Sequence, residues 1–207
     1  MQINRRTLLA AGAGLVSGAS LPAWAQLRIE ITGVGANQMP IAIPQFQGTN
    51  NAPLDLSTVV TADLERSGSF RALKVMGELP AEDIEKPRAK FWRTMGATAL
   101  VMGTIEKLPD TRYRVNYRLF GTVEDKVIDE KQFVVSSGDL RLTAHRIADA
   151  VYERLTGESG IFASRLAYVL QRGPASYELV VSDSDGANPQ TALKSNQSII
   201  SPMWSPN

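Results

Sequence analysis

The chain has no cysteine and a single histidine, His145. The first absence excludes a disulfide framework and any cysteine-ligated metal centre. With no second histidine, a metal or catalytic role for His145 is not expected, and it reads as a boundary residue beside an apolar helix face. Neither sign of charge is in clear excess, with 22 basic and 21 acidic side chains. Without residues 1–25, which hold Arg5 and Arg6 and no acid, the balance is 20 against 21. Such a surface does not grip a nucleic-acid backbone by bulk charge. Several chemical signatures are also missing: no G-x-S-x-G elbow, no H-E-x-x-H, no phosphate loop. Gly33-Val34-Gly35-Ala36-Asn37-Gln38 has Gln where a dinucleotide fingerprint needs its third glycine. Asp183-x-Asp185-Gly186 lacks the other ligand positions of an EF-hand loop and reads as a turn. No catalytic residue, cofactor or metal is therefore expected.

What is present begins with an export pattern. Arg5 and Arg6 precede an uncharged, apolar or small run from Leu8 to Leu21, and Ala23-Trp24-Ala25 stands before Gln26. That is the layout of a signal peptide over residues 1–25, with cleavage between Ala25 and Gln26. The run is shorter than the roughly 20 apolar residues of a membrane span. The paired arginines fit both an ordinary secretory signal and a twin-arginine one.

Residues 26–160 read as an α+β domain, a mixed sheet covered by helices. Gln26 to Thr32 alternates, with Leu27, Ile29 and Ile31 on one face and Arg28 and Glu30 on the other, as in a half-buried edge strand. Ile41 to Phe46 is a second strand, interrupted by Pro44. Leu56, Val59, Val60 and Leu64 give a helix over 54–67 with Asp55 as N-cap and Gly68 beyond its end. Phe70 to Val75 is extended, and Leu79 to Pro87 is a charged loop. A short helix from Arg88 to Met95 offers Phe91, Trp92 and Met95 to the core. Three strands follow: Ala97 to Lys107, Thr111 to Phe120 and Lys126 to Ser136. The middle one sets Tyr113, Val115, Tyr117 and Leu119 against a solvated row of Arg112, Arg114 and Arg118. Because the aromatics and arginines lie on opposite faces, an RNA-stacking platform is not expected. The longest helix runs from Asp139 to Thr156, with Gly157 as C-cap.

The last stretch, Tyr177 to Asn207, reads as three short strands separated by turns. Glu178 to Ser182 and Gln190 to Lys194 flank the Asp183-Ser184-Asp185-Gly186 turn, and Ile199-Ile200 leads into Ser201-Pro202-Met203-Trp204-Ser205-Pro206-Asn207. That final heptad resembles the S-P-x-W-S-P-[DN] signature of the TolB family's β-propeller blades. The turn before it is similar to the family's V-x-D-x-D-G-x-N. Further matches lie upstream: Pro40-Ile41-Ala42-Ile43-Pro44-Gln45-Phe46, the Ala62-Asp63-Leu64 to Phe70 segment, Leu155-Thr156-Gly157, and the Phe162-Ala163-Ser164-Arg165-Leu166-Ala167-Tyr168-Val169 join.

The resemblance covers residues 26–207, the Gly33 to Gln38 loop excepted. It implies a non-enzymatic periplasmic adaptor of the Tol-Pal system. The N-terminal strand, Leu27 to Ile31, would engage TolA at the inner membrane, and the propeller would engage Pal at the outer membrane. Some bacteriocins would use the same surface. The implied roles are outer-membrane integrity and envelope constriction during division. Residues 161–207 would begin a propeller. Because one repeat cannot bury its own apolar face, further blades and a longer protein are expected. An exported hydrolase gated by similar blades is the alternative, and the matches in the front domain favour the adaptor.

Overall fold

The computed structural model describes residues 38–205. The signal segment, the Gln26 to Thr32 strand and the last two residues lie outside that range.

A five-stranded mixed sheet is the frame, in the order β2-β1-β3-β4-β5. Its strands are β1 (Met39–Ala42), β2 (Phe70–Leu73), β3 (Ala99–Lys107), β4 (Tyr113–Gly121) and β5 (Lys126–Val135). β1 runs parallel to both β2 and β3, and β3, β4 and β5 form an antiparallel meander. The parallel pairs are joined through helices, as parallel connections require. β1 stops at Ala42 rather than continuing to Phe46, because Pro44 cannot donate to a ladder. The chain still follows β3, with Gln47 N–H donating to Gly103 O at 2.9 Å and Ile105 N–H to Gln47 O at 2.8 Å.

Both faces of the sheet are covered. On one lie α1 (Leu56–Arg66) and α4 (Leu140–Thr156). The apolar stripe of α1, Leu56, Val59, Val60 and Leu64, meets Ile147 and Val151 of α4 and Val101, Val115 and Leu119 of the sheet. Asp55 caps α1 as expected, its Oδ1 accepting from Ser57 N–H at 3.0 Å. Gly157 ends α4 in the left-handed region at φ 79°. Gly103 is required where it stands: a Cβ there would lie 2.6 Å from the buried Phe46 ring and 2.5 Å from Asn116 O.

The opposite face carries α2 (Ala81–Glu85) and α3 (Ala89–Thr94) over a smaller core of Trp92, Leu100, Met102 and Phe120. Here the structure departs from the sequence reading twice. The expected charged loop contains α2, with Glu82 and Asp83 in its first turn, where the helix dipole favours acids. Arg118 donates to the Ile84 and Glu85 carbonyls at its other end, at 3.0 and 3.3 Å. Of the three large side chains expected in the core, only Trp92 joins it, together with Ala89, while Phe91 and Met95 are 45% and 52% exposed. Phe91 and Met95 are four positions apart and share one face, with Phe91 about 100° round from Trp92, and it is the Trp92 side that packs on the sheet. The arginine row is paired as well as solvated: Arg114 with Glu106 at 2.6 Å, Arg118 with Glu130 at 3.0 Å, and Arg112, just ahead of β4, with Asp110 at 2.6 Å.

A second sheet, β6 (Arg165–Gly173), β7 (Ser176–Asp183) and β8 (Gln190–Ser195), is an antiparallel meander. The sequence reading placed its third strand after β8. The structure instead forms it before β7, at the stretch read as a join. Ile199 and Ile200 take no strand conformation, and no ladder partner stands beside them among the described residues. No described helix is long and apolar enough to cross a membrane.

Candidate functional site

The residues that connect the two sheets come from one face of α4. Arg141, His145, Asp149 and Tyr152 follow one another at single-turn spacing, so a straight helix presents them in a row. Each meets the segment from Gly160 onward or the turn between β7 and β8.

Asp149 fixes the chain as it leaves the helical layer. Its Oδ1 accepts from Phe162 N–H at 2.7 Å and its Oδ2 from Ala163 N–H at 3.0 Å. Phe162 is thereby held in the main core, edge-on to Tyr152 with ring centroids 5.8 Å apart. Tyr152 meets Phe70 in the same way at 6.0 Å. The Phe162 carbonyl then accepts from the Ser184 hydroxyl in the β7–β8 turn.

That turn is closed by its own hydrogen bonds. Asp183 O accepts from Gly186 N–H at 2.9 Å, Asp183 N–H donates to Ala187 O at 2.9 Å, and Asp185 Oδ1 accepts from Ala187 N–H at 2.9 Å. Gly186 holds φ 82°, which a β-carbon would strain. The turn presents Asp185 to α4. Arg141 donates to Asp185 Oδ2 through Nε at 3.0 Å and through a terminal nitrogen. Burial alone would raise the Asp185 carboxyl. The Arg141 hydrogen bond, the Ala187 N–H and the Arg141 charge outweigh it, and hold the group below the usual carboxylate range.

Beneath Asp185 lies a buried polar pair. His145 is 1% exposed, not a boundary residue, because its ring is covered between α1 and the turn. Its Nδ1 stands 2.5 Å from Oδ2 of Asp63, which is itself fully buried. Asp63 Oδ1 accepts from Arg66 at 3.0 Å. Since a carboxylate oxygen accepts, the ring hydrogen is assigned to Nδ1. Nε2 faces Asp185 Oδ2 at 3.7 Å and makes no hydrogen bond.

Comparison with known proteins fits this two-part arrangement. The TolB amino-terminal domain model matches residues 27–128, and the TolB beta propeller domain model matches 152–207. The chain belongs to the TolB family. A Tol-Pal system protein TolB from Polaromonas sp. is 45% identical over 205 residues, covering 99% of this chain and 47% of the relative. One from Bordetella pertussis is 46% identical over 186 residues, covering 90% and 42%. The crystal structure of TolB from Acinetobacter baumannii superposes with a TM-score of 0.70 at 33% identity, covering 81% of this chain and 41% of that one. The chain thus spans about half the length of the curated relatives it matches. The fold is that of the TolB amino-terminal domain followed by the first strands of a TolB propeller.

Within this TolB frame, the structure brings some expected site residues together and leaves others apart. Asp183, Asp185 and Gly186 form the turn at the junction. Ser201, Pro202, Trp204 and Ser205 lie in an exposed segment without secondary structure, with Trp204 61% exposed. Pro206, the Ala25–Gln26 cleavage site and the Leu27, Arg28, Ile29, Glu30 and Ile31 segment lie outside the described residues. Sequence reasoning missed Asp63, Arg141, His145 and Asp149. One signal was available: Asp63 sits seven residues after Leu56, inside the apolar stripe of α1, and a buried acid requires a partner.

Proposed function

We propose that this chain serves as a non-enzymatic adaptor of the Tol-Pal system in the periplasm. The observation that carries the reading is the 45% identity with a Tol-Pal system protein over 99% of the chain. In this reading the chain is exported, cleaved between Ala25 and Gln26, and stays off the membrane except through partners. Residues 26–160 act as the TolA-facing domain and residues 161–207 as the start of the Pal-facing propeller, a surface that bacteriocins also exploit. The outcome for the cell is outer-membrane integrity and envelope constriction during division.

The N-terminal strand is the proposed TolA contact, through Leu27 to Ile31. Ordering about seven backbones costs roughly 1–2 kcal/mol each. Burial of Leu27, Ile29 and Ile31, at about 1.5–3 kcal/mol each, and a few ladder hydrogen bonds, at about 1 kcal/mol apiece, offset most of that. A docked and a free strand are then close in energy, and a partner on the propeller can shift the balance by differential binding. The α4 junction supports this coupling, since one helix carries hydrogen bonds to the segment after it and to the β7–β8 turn.

The test is titration of TolA into full-length protein, with and without Pal. Ile29→Asp, which cannot dock its side chain in an apolar layer, should change TolA affinity and remove its dependence on Pal while the melting temperature holds. Unaltered TolA binding by Ile29→Asp would refute the assignment of the strand.

A further inference from the structure

We infer that the junction holds a divalent transition-metal site built from His145, Asp183 and Asp185. One ring nitrogen of His145 and one carboxylate oxygen of each aspartate all lie within 4.8 Å of one another, and Nε2 is the nitrogen on the Asp185 side, 3.7 Å from its Oδ2. The imidazole is 99% buried, and its Nε2 faces the Asp185 carboxylate with no hydrogen-bond partner. An imidazole lone pair facing carboxylate oxygens is unfavourable by itself. A cation between them turns every contact attractive.

The surroundings match what such a site needs. A metal-bound histidine almost always donates its other ring N–H to a carboxylate or carbonyl, which fixes the tautomer and raises ligand basicity. Asp63, fully buried, stands 2.5 Å from Nδ1 and supplies that partner. Asp183 and Asp185 are two residues apart on a closed turn, so both carboxylates reach the same side. The ligands around tetrahedral zinc are about 3.4 Å apart, given bonds of roughly 2.0–2.2 Å. Closing from 4.8 Å takes side-chain rotation at Asp183, whose Oδ2 now accepts from Asn188 at 2.7 Å. One nitrogen and two oxygens suit zinc, cobalt or manganese better than calcium, which prefers all-oxygen shells. The lack of cysteine and of a second histidine does not weigh against a ligand set of this kind.

Arg141 is the competing cation, since it already occupies Asp185 Oδ2. Metal binding therefore draws Asp185 partly away from Arg141, and the guanidinium lowers affinity for the ion. The bound ion would join α4 to the β7–β8 turn, clamping the propeller side to the helical layer.

The experiment is titration of zinc into the tag-free, chelator-treated full chain by calorimetry, with cobalt as the spectroscopic probe. One equivalent should bind, the melting temperature should rise with zinc, and cobalt should develop visible d–d bands. His145→Gln and Asp183→Asn should each abolish or greatly weaken binding. Asp183 is a turn residue, and its variant keeps the fold if His145→Gln does not. Asp63→Asn should cost about 10–100-fold in affinity, as loss of an outer-shell partner does. Arg141→Gln should tighten binding, a result that a purely structural histidine would not give. Absence of zinc binding at 100-fold excess over protein, or binding unchanged in both His145→Gln and Asp183→Asn, would overturn the site. Both results leave the adaptor reading intact, because TolA and Pal binding are measured separately.

Discussion

Replacing Asp149 with alanine removes both side-chain acceptors that hold the Phe162 and Ala163 amides. Hydrogen bonds from N–H to a charged acceptor contribute about 1.5–3 kcal/mol each. Asp149 is only partly buried, so water replaces some of that when it is lost. The Phe162 amide, beside a ring buried in the main core, is the harder one to resolvate. A net loss of about 2–4 kcal/mol follows for Asp149→Ala. With a urea slope of about 2 kcal/mol per molar, the middle of the usual range, the midpoint should fall by about 1–2 M. Asp149→Asn keeps one acceptor and turns an amide N–H₂ toward the other donor, so its loss should be intermediate. Amide exchange supplies the local readout. Phe162 and Ala163 should exchange faster in Asp149→Ala, whereas the central β3 amides should change only with global stability. A midpoint within 0.2 M of the parent, with protection of both amides retained, would refute this account of the junction.

Two further outcomes are expected. The folded Asp185 carboxyl titrates below its unfolded value of about 3.9, so its contribution is present above that pH and lost as pH falls through the lower folded value. In metal-free buffer the stability gap between parent and Asp185→Asn, about 1 kcal/mol after allowance for the part-exposed Arg141, should be constant near pH 6 and shrink as pH falls below about 4. A gap that widens as the pH is lowered through the carboxylate range would contradict it. Gly103→Ala should destabilise by about 1–3 kcal/mol or more, because the added carbon meets the Phe46 ring and a backbone carbonyl. Calorimetry should show part of that loss recovered when Phe46→Leu is added, and strict additivity of the two would argue against the clash.

The elements most legible in the sequence were those whose period alone fixes them. The α1 stripe, the Asp55 cap, the Gly157 stop and the alternating Tyr113 to Leu119 strand needed no knowledge of neighbours. α2 was missed because its five residues carry no apolar period, and part of its support, Arg118, comes from a distant strand. Phe91 and Met95 were misplaced because helical spacing does not say which side of a six-residue helix is covered. The Asp183 to Gly186 turn was legible from its composition. Its role at the junction was not, because Arg141, His145 and Asp149 lie far from it in sequence and meet it only through the path of α4.

The buried pairing of Asp63 with His145 spans 82 positions. During vectorial synthesis or export, α1 appears long before α4. Until residue 156 has followed, Asp63 lacks its His145 partner and the apolar side of the sheet is covered by α1 alone. The amino-terminal domain therefore has a late commitment point. A nascent chain halted within α4 would leave part of this apolar layer open to solvent, and would depend on holding factors or rapid completion to avoid aggregation.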